Sequence, residues 1–416
     1  MDKVTDVISR FDAAIGSTIE RATVSHHRRR LARVGWDAAL RARPEAWARG
    51  EPGPRPGNRV DVLIDGDQAL PAIAAEIRQA RSHINVTGWH LNPTFALDQE
   101  SPPGILRELL VEATRTVRVR VLLWAGAPLP IFRPARKDMK KVREALCDGN
   151  GIECALDARE RPMHCHHDKT IVVDDRVAFV GGIDLTDLGG NRLDASAHAS
   201  RPGIGWHDAS VRIEGPCVHD VADHFRLRWN ATTGQQLPSP PLPVAAGDTP
   251  LQVVRTVPDG MYRELPRGDF RILESYVGAL SAAQRFIYLE NQFLWSPEIL
   301  TVLREKLRHP PNDDFRLVIL LPAKPNSGAD DTRGQLSTLA EADGDRGRLL
   351  ACTLVSPDGA TGRAVYVHAK IGIVDDTWLT LGSANLNEHS LFNDTEMNVV
   401  IRDQGLVRDT RERLWA

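Results

Sequence analysis

Short apolar runs with strand-like patterning recur along the chain at Val60 to Ile64, Ile84 to His90, Val119 to Ala125 and Lys169 to Val173. Between them, Gln68 to Arg81 and Ala135 to Cys147 carry apolar residues every three or four positions, the period of a helix buried on one face. This alternation predicts an α/β architecture. Ahead of it, Val4, Ile8, Phe11, Ile15 and Ile19 fall at near-helical spacing and lead into the basic run HHRRRLAR, His26 to Arg33, which predicts one or two amphipathic helices, packed on the body or, as the alternative that would want more cations on the polar face, lying on a membrane surface. The Pro/Gly-rich EPGPRPGN, Glu51 to Asn58, predicts a linker, and QLPSPPLPVAAGDTP, Gln236 to Pro250, predicts another. The expected organisation is a helical leader and linker over 1–58, a first block over 59–240 and a second over 241–416.

The two blocks repeat each other. ARSHINVTGWHL from Ala80 aligns with AQRFIYLENQFL from Ala283, and VLLWA from Val121 with ILLPA from Ile319. HHDKTIVVDDRVAFVGGIDL from His166 aligns with VHAKIGIVDDTWLTLGSANL from Val367, and HDASVRI from His207 with TEMNVVI from Thr395. Four segments in the same order predict a fold built from two similar halves, since self-similarity of this kind reflects repeated structure.

Each half holds one HxKxxxxD: His167, Lys169 and Asp174, then His368, Lys370 and Asp375. Residues two apart on a strand project from one face, so each His and its Lys point together. The apolar run continues to a turn at the acid, and VAFVGG or WLTLGS reads as the return strand. Gly181, Gly182 and Gly382 suit a close backbone approach to an anion. Cleaving a phosphodiester needs a nucleophile, an acid for the leaving oxygen and cations for the charge on the phosphoryl oxygens. Two histidines and two lysines supply that set without a metal, and the imidazole pKa near 6.5 lets histidine serve as either nucleophile or acid.

Composition narrows the partners. The apolar fraction of 42% over 416 residues is enough for a sizeable core, and the net charge of -3 gives no global basic field for nucleic acid. Five cysteines, odd in number and without short paired spacing, predict neither disulfides nor a CxxC zinc site, which fits a reducing, cytoplasmic setting. No apolar run is long enough to span a membrane. MHCHH, Met163 to His167, contains the ligand types His164, Cys165 and His166, but no second ligand group stands at tetrahedral-site spacing, so neither metal nor cofactor is expected. RPARKDMKKVR, Arg133 to Arg143, reads as a solvated helix face able to attract anionic head groups. Trp89, Phe293 and Trp295 fit a substrate mouth and core packing equally.

With the duplicated HxKxxxxD followed by GGID and GSAN, the chain resembles the phospholipase D superfamily from about Val60 to Arg402. That resemblance implies two phospholipase D-like halves, each a mixed sheet flanked by helices, related by a pseudo-two-fold axis and sharing one active site. It implies that one histidine becomes a phosphohistidine while the other protonates the leaving alcohol, with His167 as nucleophile and His368 as acid, and that Lys169 and Lys370 bind phosphoryl oxygens. Asp184, Ser383 and Asn385 would line the phosphate site. Glu396, with Asp208 as its counterpart in the repeat, would fix an imidazole tautomer through Nδ1, while Asp174 and Asp375 would close turns with backbone hydrogen bonds.

IYLENQFL, WHDASVRIEGP and FRLRWN resemble lipid-acting phospholipases D. The expected function is therefore hydrolysis or transphosphatidylation of glycerophospholipids by a monomer at the periphery of a membrane. A cardiolipin synthase-like phosphatidyltransferase is one alternative, although those enzymes carry a TPYF-like sequence in place of ENQF, and N-terminal membrane helices. A nuclease, requiring a basic groove with stacking platforms, is another.

Overall fold

The computed structural model describes residues 20–41, 47–98, 100–129, 131–187, 206–324, 329–356 and 363–416; the leader positions Val4 to Ile19 lie outside them. One mixed sheet of 15 strands runs through the protein. At its middle, Arg55–Ile64 pairs antiparallel with Thr249–Val257, with Arg55 opposite Leu251 and Asn58 opposite Thr249. Arg55 to Asn58, expected as linker, are thus strand. The prolines and glycines of this stretch signalled a break, but the sheet supplies partners for its backbone.

Outward from Arg55–Ile64 come Ala209–Glu214, Val177–Gly181, Lys169–Val173, His83–Gly88, Arg118–Trp124 and Glu153–Asp157. Outward from Thr249–Val257 come Glu396–Ile401, Trp378–Gly382, Ile371–Val374, Phe286–Glu290, Arg316–Leu320 and Leu349–Cys352. Segments that align in sequence hold equal places in the two series. The outer pairs are parallel and the inner ones antiparallel.

Burial explains the composition of the strands. Every residue of Lys169–Val173 and Val177–Gly181 is buried, so beyond Lys169 and Thr170 these strands are apolar on both faces and do not alternate. Helix Asp65–Arg78 buries Ala69, Leu70, Ile73, Ala74 and Ile77, one stripe at three- and four-residue spacing. One core packs Val62, Val211 and Ile213 of the first block with Val253, Ile371 and Met397 of the second, covered by Val218 and Val221 of helix Val218–Thr233 and by Val407 of helix Gln404–Trp415. The blocks therefore share a hydrophobic interior. Within the leader, a helix over 20–34 packs on the second block: Leu31 enters a separate core with Phe270 and Leu273, His27 Nδ1 lies 2.7 Å from Glu298, and Arg30 donates to Asp259 at 2.8 Å and Asn393 at 2.7 Å.

Candidate active site

Each HxK segment is fastened by the opposite block. The amides of His167 and Asp168 both donate to the Thr395 carbonyl, at 2.8 and 3.0 Å, and those of His368 and Ala369 both donate to the His207 carbonyl at the same distances. Thr395 and His207 immediately precede Glu396 and Asp208. The carboxylates consequently cross over: His167 Nδ1 lies 3.0 and 3.1 Å from the two oxygens of Glu396, and His368 Nδ1 lies 2.6 Å from Asp208 Oδ2. An ionised carboxylate only accepts, so each Nδ1 carries the hydrogen and Nε2 is the free nitrogen of the neutral ring.

Glycine makes this possible. A Cβ on Gly182 would collide with the Asp208 carboxylate, and one on Gly382 with the Met397 carbonyl and Asn398. The close anion that the glycines suggested is, at Gly182, the protein's own.

His368 is buried, and its pKa is lowered to about 4, first by burial and then by the Lys370 ammonium, against the pull of Asp208. The ring is neutral at ordinary pH. Lys370 is lowered to about 8, again by burial first and also by its like charge Lys169, while Asp208 opposes the shift. Both ammonium groups donate to the carbonyl of their own motif histidine, Lys169 at 2.6 Å, and Lys169 Nζ also lies 3.4 Å from Asp184 Oδ2.

His167 and His368 line one cavity of about 550 Å³ together with Asp184 and Asn385. The Asn385 side-chain oxygen is buried with no protein partner. Trp89, Trp124, Trp206, Phe293 and Trp295 supply aromatic wall, Trp206 with its ring centroid 4.2 Å from that of His368. Ser383 corrects an expectation. Fully buried, it does not line the cavity; its hydroxyl donates to Glu396 Oε2 and accepts from the Met397 amide at 3.1 Å, because the tight approach at Gly382 brings it beside that strand. Ser390, unnoticed in the sequence, donates to the other Glu396 oxygen.

Asp174 and Asp375 lie away from the chemistry. Asp174 accepts from the amides of Arg81, Ser82 and His83 at 2.7–3.0 Å, and Asp375 from those of Gln284, Arg285 and Phe286 at 2.7–2.8 Å. With φ of 58° and 54° they open hairpin turns in the left-handed region, which aspartate tolerates.

Two buried polar clusters support the strands, and only fragments of them were visible in the sequence. Behind His167, Arg228 is fully buried and donates to Asp168 at 2.6 Å and Asp157 at 3.1 Å. Although burial works against it, the Arg228 charge holds the Asp168 carboxyl well below the usual range. On the other side, His207 lies 2.8 Å from both Asp65 and Glu290; burial opposes its charge, but these carboxylates raise its pKa well above the ordinary value.

Two imidazoles on one aromatic-walled cavity, each oriented by a carboxylate of the opposite block and each followed two residues on by a buried lysine, supply the groups that handling a phosphate ester would need. A family model described as cardiolipin synthase, PLD-like domain, matches residues 276–416. Phospholipase D A of Dictyostelium discoideum is 26% identical over 83% of this chain and 33% of its own length. Phospholipase D2 of Bos taurus is 25% identical over 84% and 50%, and the major cardiolipin synthase ClsA of Bacillus subtilis is 26% identical over 83% and 66%. The chain thus spans about a third to two thirds of the length of these relatives. The crystal structure of phosphatidylserine synthase from Haemophilus influenzae shares the fold, with a TM-score of 0.55 and 17% identity over 85% of both chains. The family-model match and these relatives support the phospholipase D superfamily for this chain.

Proposed function

We propose that the two blocks are pseudo-two-fold copies forming one active site, which cleaves glycerophospholipids through a covalent phosphohistidine and passes the phosphatidyl group to water or an alcohol. One imidazole attacks phosphorus through Nε2 while the other gives its proton to the departing alkoxide. The second imidazole, now neutral, takes a proton from water or alcohol, whose oxygen then attacks phosphorus and expels the first imidazole. In this reading Lys169, Lys370 and the Asn385 amide bind the phosphoryl oxygens. Since both pairs belong to one chain, a monomer suffices. The resemblance gives attack to His167, whereas burial keeps His368 in the neutral state that attack requires; mapping the phosphohistidine decides between them.

The observation that carries the lipid reading is the rim. Leu129, Ile131, Phe132 and Met163 are large apolar side chains left 43–78% exposed, and three of them line the cavity holding both histidines. Exposed apolar residues at the mouth of a site suit a substrate presented by a bilayer. Lys137, Lys140, Lys141 and Arg143, exposed on the adjoining helix Arg136–Cys147, suit anionic head groups. Arg133 is the sole lysine or arginine among the described residues of the cavity lining, unlike a nucleic-acid groove. Among the described residues no helix is long and apolar enough to cross a membrane, so this rim is the proposed peripheral contact. With a second lipid as the alcohol, the same intermediate gives the cardiolipin synthase reaction, a reading favoured by the match over 276–416.

The test is incubation with phosphatidylcholine or phosphatidylglycerol vesicles and ethanol in chelator. Phosphatidic acid and phosphatidylethanol should form together, while cardiolipin from phosphatidylglycerol would assign the synthase reaction. Cleavage of single-stranded oligonucleotide with every phospholipid left intact would overturn the lipid reading.

A further inference from the structure

The sequence offered His164 as a metal ligand type and withheld it for want of a second ligand group. Folding provides one from 225 residues away. His164 Nδ1 lies 3.0 Å from His389 Nδ1 and 3.5 Å from Asp394 Oδ1, and one ligand atom from each of the three residues falls within 4.8 Å of the others. Donors about 2.0–2.1 Å from a tetrahedral Zn²⁺ stand roughly 3.4 Å apart, so these separations suit one ion with little movement. Two imidazoles and a carboxylate are the donor set of borderline divalent transition metals and disfavour calcium or magnesium.

Three further features point the same way. Asp394 Oδ1 accepts the Cys165 amide at 2.9 Å, an outer contact that orients the carboxylate and leaves its second oxygen for other use. The Asp394 amide donates to the His389 carbonyl at 2.8 Å, which holds these two ligands together across the turn His389–Asn393. All three side chains line the cavity that contains His167 and His368, so a fourth coordination position would open toward the reacting groups. His166, the other sequence candidate, takes no part: fully buried, its Nδ1 meets Thr395 Oγ1 at 2.9 Å and its Nε2 faces Asp157 at 3.3 Å.

We propose that His164, His389 and Asp394 form a binding site for a divalent transition metal of the zinc type at the rim of the cavity, with an open position facing inward. An ion there would tie the segment before His167 to the segment before Glu396, and so bear on the imidazole–carboxylate contact without being needed for the chemistry proposed above. The inference concerns binding and does not depend on which phosphodiester is cleaved.

Chelator-treated full-length protein is titrated with Zn²⁺ by calorimetry and with Co²⁺ by visible absorption, without substrate. One equivalent should bind, Co²⁺ giving the d–d bands of a low-coordinate nitrogen and oxygen site. Losing even an outer-shell partner costs about 10- to 100-fold in affinity, so His389→Ala, Asp394→Asn and His164→Ala should each weaken binding by about 100-fold or more, with circular dichroism showing each folded. His26→Ala, at an exposed histidine on the leader helix, should bind as wild type. Absence of binding by the wild type, or equal affinity in His389→Ala and Asp394→Asn, would leave the pair as an ordinary imidazole–imidazole hydrogen bond and overturn the site.

Discussion

His167 donates through Nδ1 to Glu396, a carboxylate 229 residues further along the chain, while the corresponding acid of its own block, Asp208, serves His368. Each half of the proposed site is thus oriented by the other. Glu396→Gln should lower turnover about 10- to 100-fold, the usual effect of losing an outer-shell partner. A double-mutant cycle should find His167 coupled to Glu396 and His368 coupled to Asp208, with His167 and Asp208 additive. Coupling within blocks would contradict the crossed arrangement.

Removing either imidazole removes a reacting group. His167→Ala and His368→Ala should each cost more than the roughly 10²- to 10⁴-fold attributed to a general acid alone, measured on a soluble phosphodiester with a good leaving group. Near-normal turnover in either variant would exclude that residue from the mechanism. Phosphohistidine should be trapped in one single variant and absent from the other.

The alkaline side of the pH profile should reflect Lys370. Its pKa of about 8 lies below the ordinary lysine value near 10.4, so its cation is lost as pH rises through 8, and kcat/KM should fall there. In Lys370→Arg the decline should move to much higher pH. The stability linkage has the opposite sign: between about pH 8 and 10.4 the unfolded chain binds the extra proton, so this residue's contribution makes the folded protein more stable as pH rises.

Arg228→Met would leave Asp168 and Asp157 as buried charges without their cation. Breaking a buried pair on one side costs about 3–5 kcal/mol, which urea unfolding should register as a lower midpoint. A loss under 1 kcal/mol would show that the cluster bears little on stability.

Ile131 is 78% exposed and does not line the cavity, so Ile131→Asp probes the rim alone. From the roughly 1.5–3 kcal/mol that burial of such a side chain contributes, co-sedimentation with phosphatidylcholine–phosphatidylglycerol vesicles should weaken about tenfold or more. Activity on a monomeric short-chain phospholipid should stay unchanged. Equal vesicle binding would remove the rim from membrane contact.

Local patterns carried much of this into view. Strands such as Lys169–Val173 and helices such as Arg136–Cys147 were legible because periodicity records burial. The HxKxxxxD pair was legible because its spacing is local and it occurs twice. What escaped was set by contacts between distant segments. Nothing beside Ser383 says that its hydroxyl turns to Glu396, and nothing near His164 announces His389. The glycines of EPGPRPGN could signal a break but not the strand Thr249–Val257 that takes up Arg55 to Asn58.

The crossed carboxylates have a further consequence for how the protein tolerates change. A lesion that loosens the strand Glu396–Ile401 disarms the histidine of the other block before the one of its own, so damage is felt more than two hundred residues away along the chain from where it occurs. Cutting the connection at Gln236 to Pro250 would leave two fragments that each hold a histidine and a lysine yet lack the acid to steer them, and only reunion of the fragments would restore both.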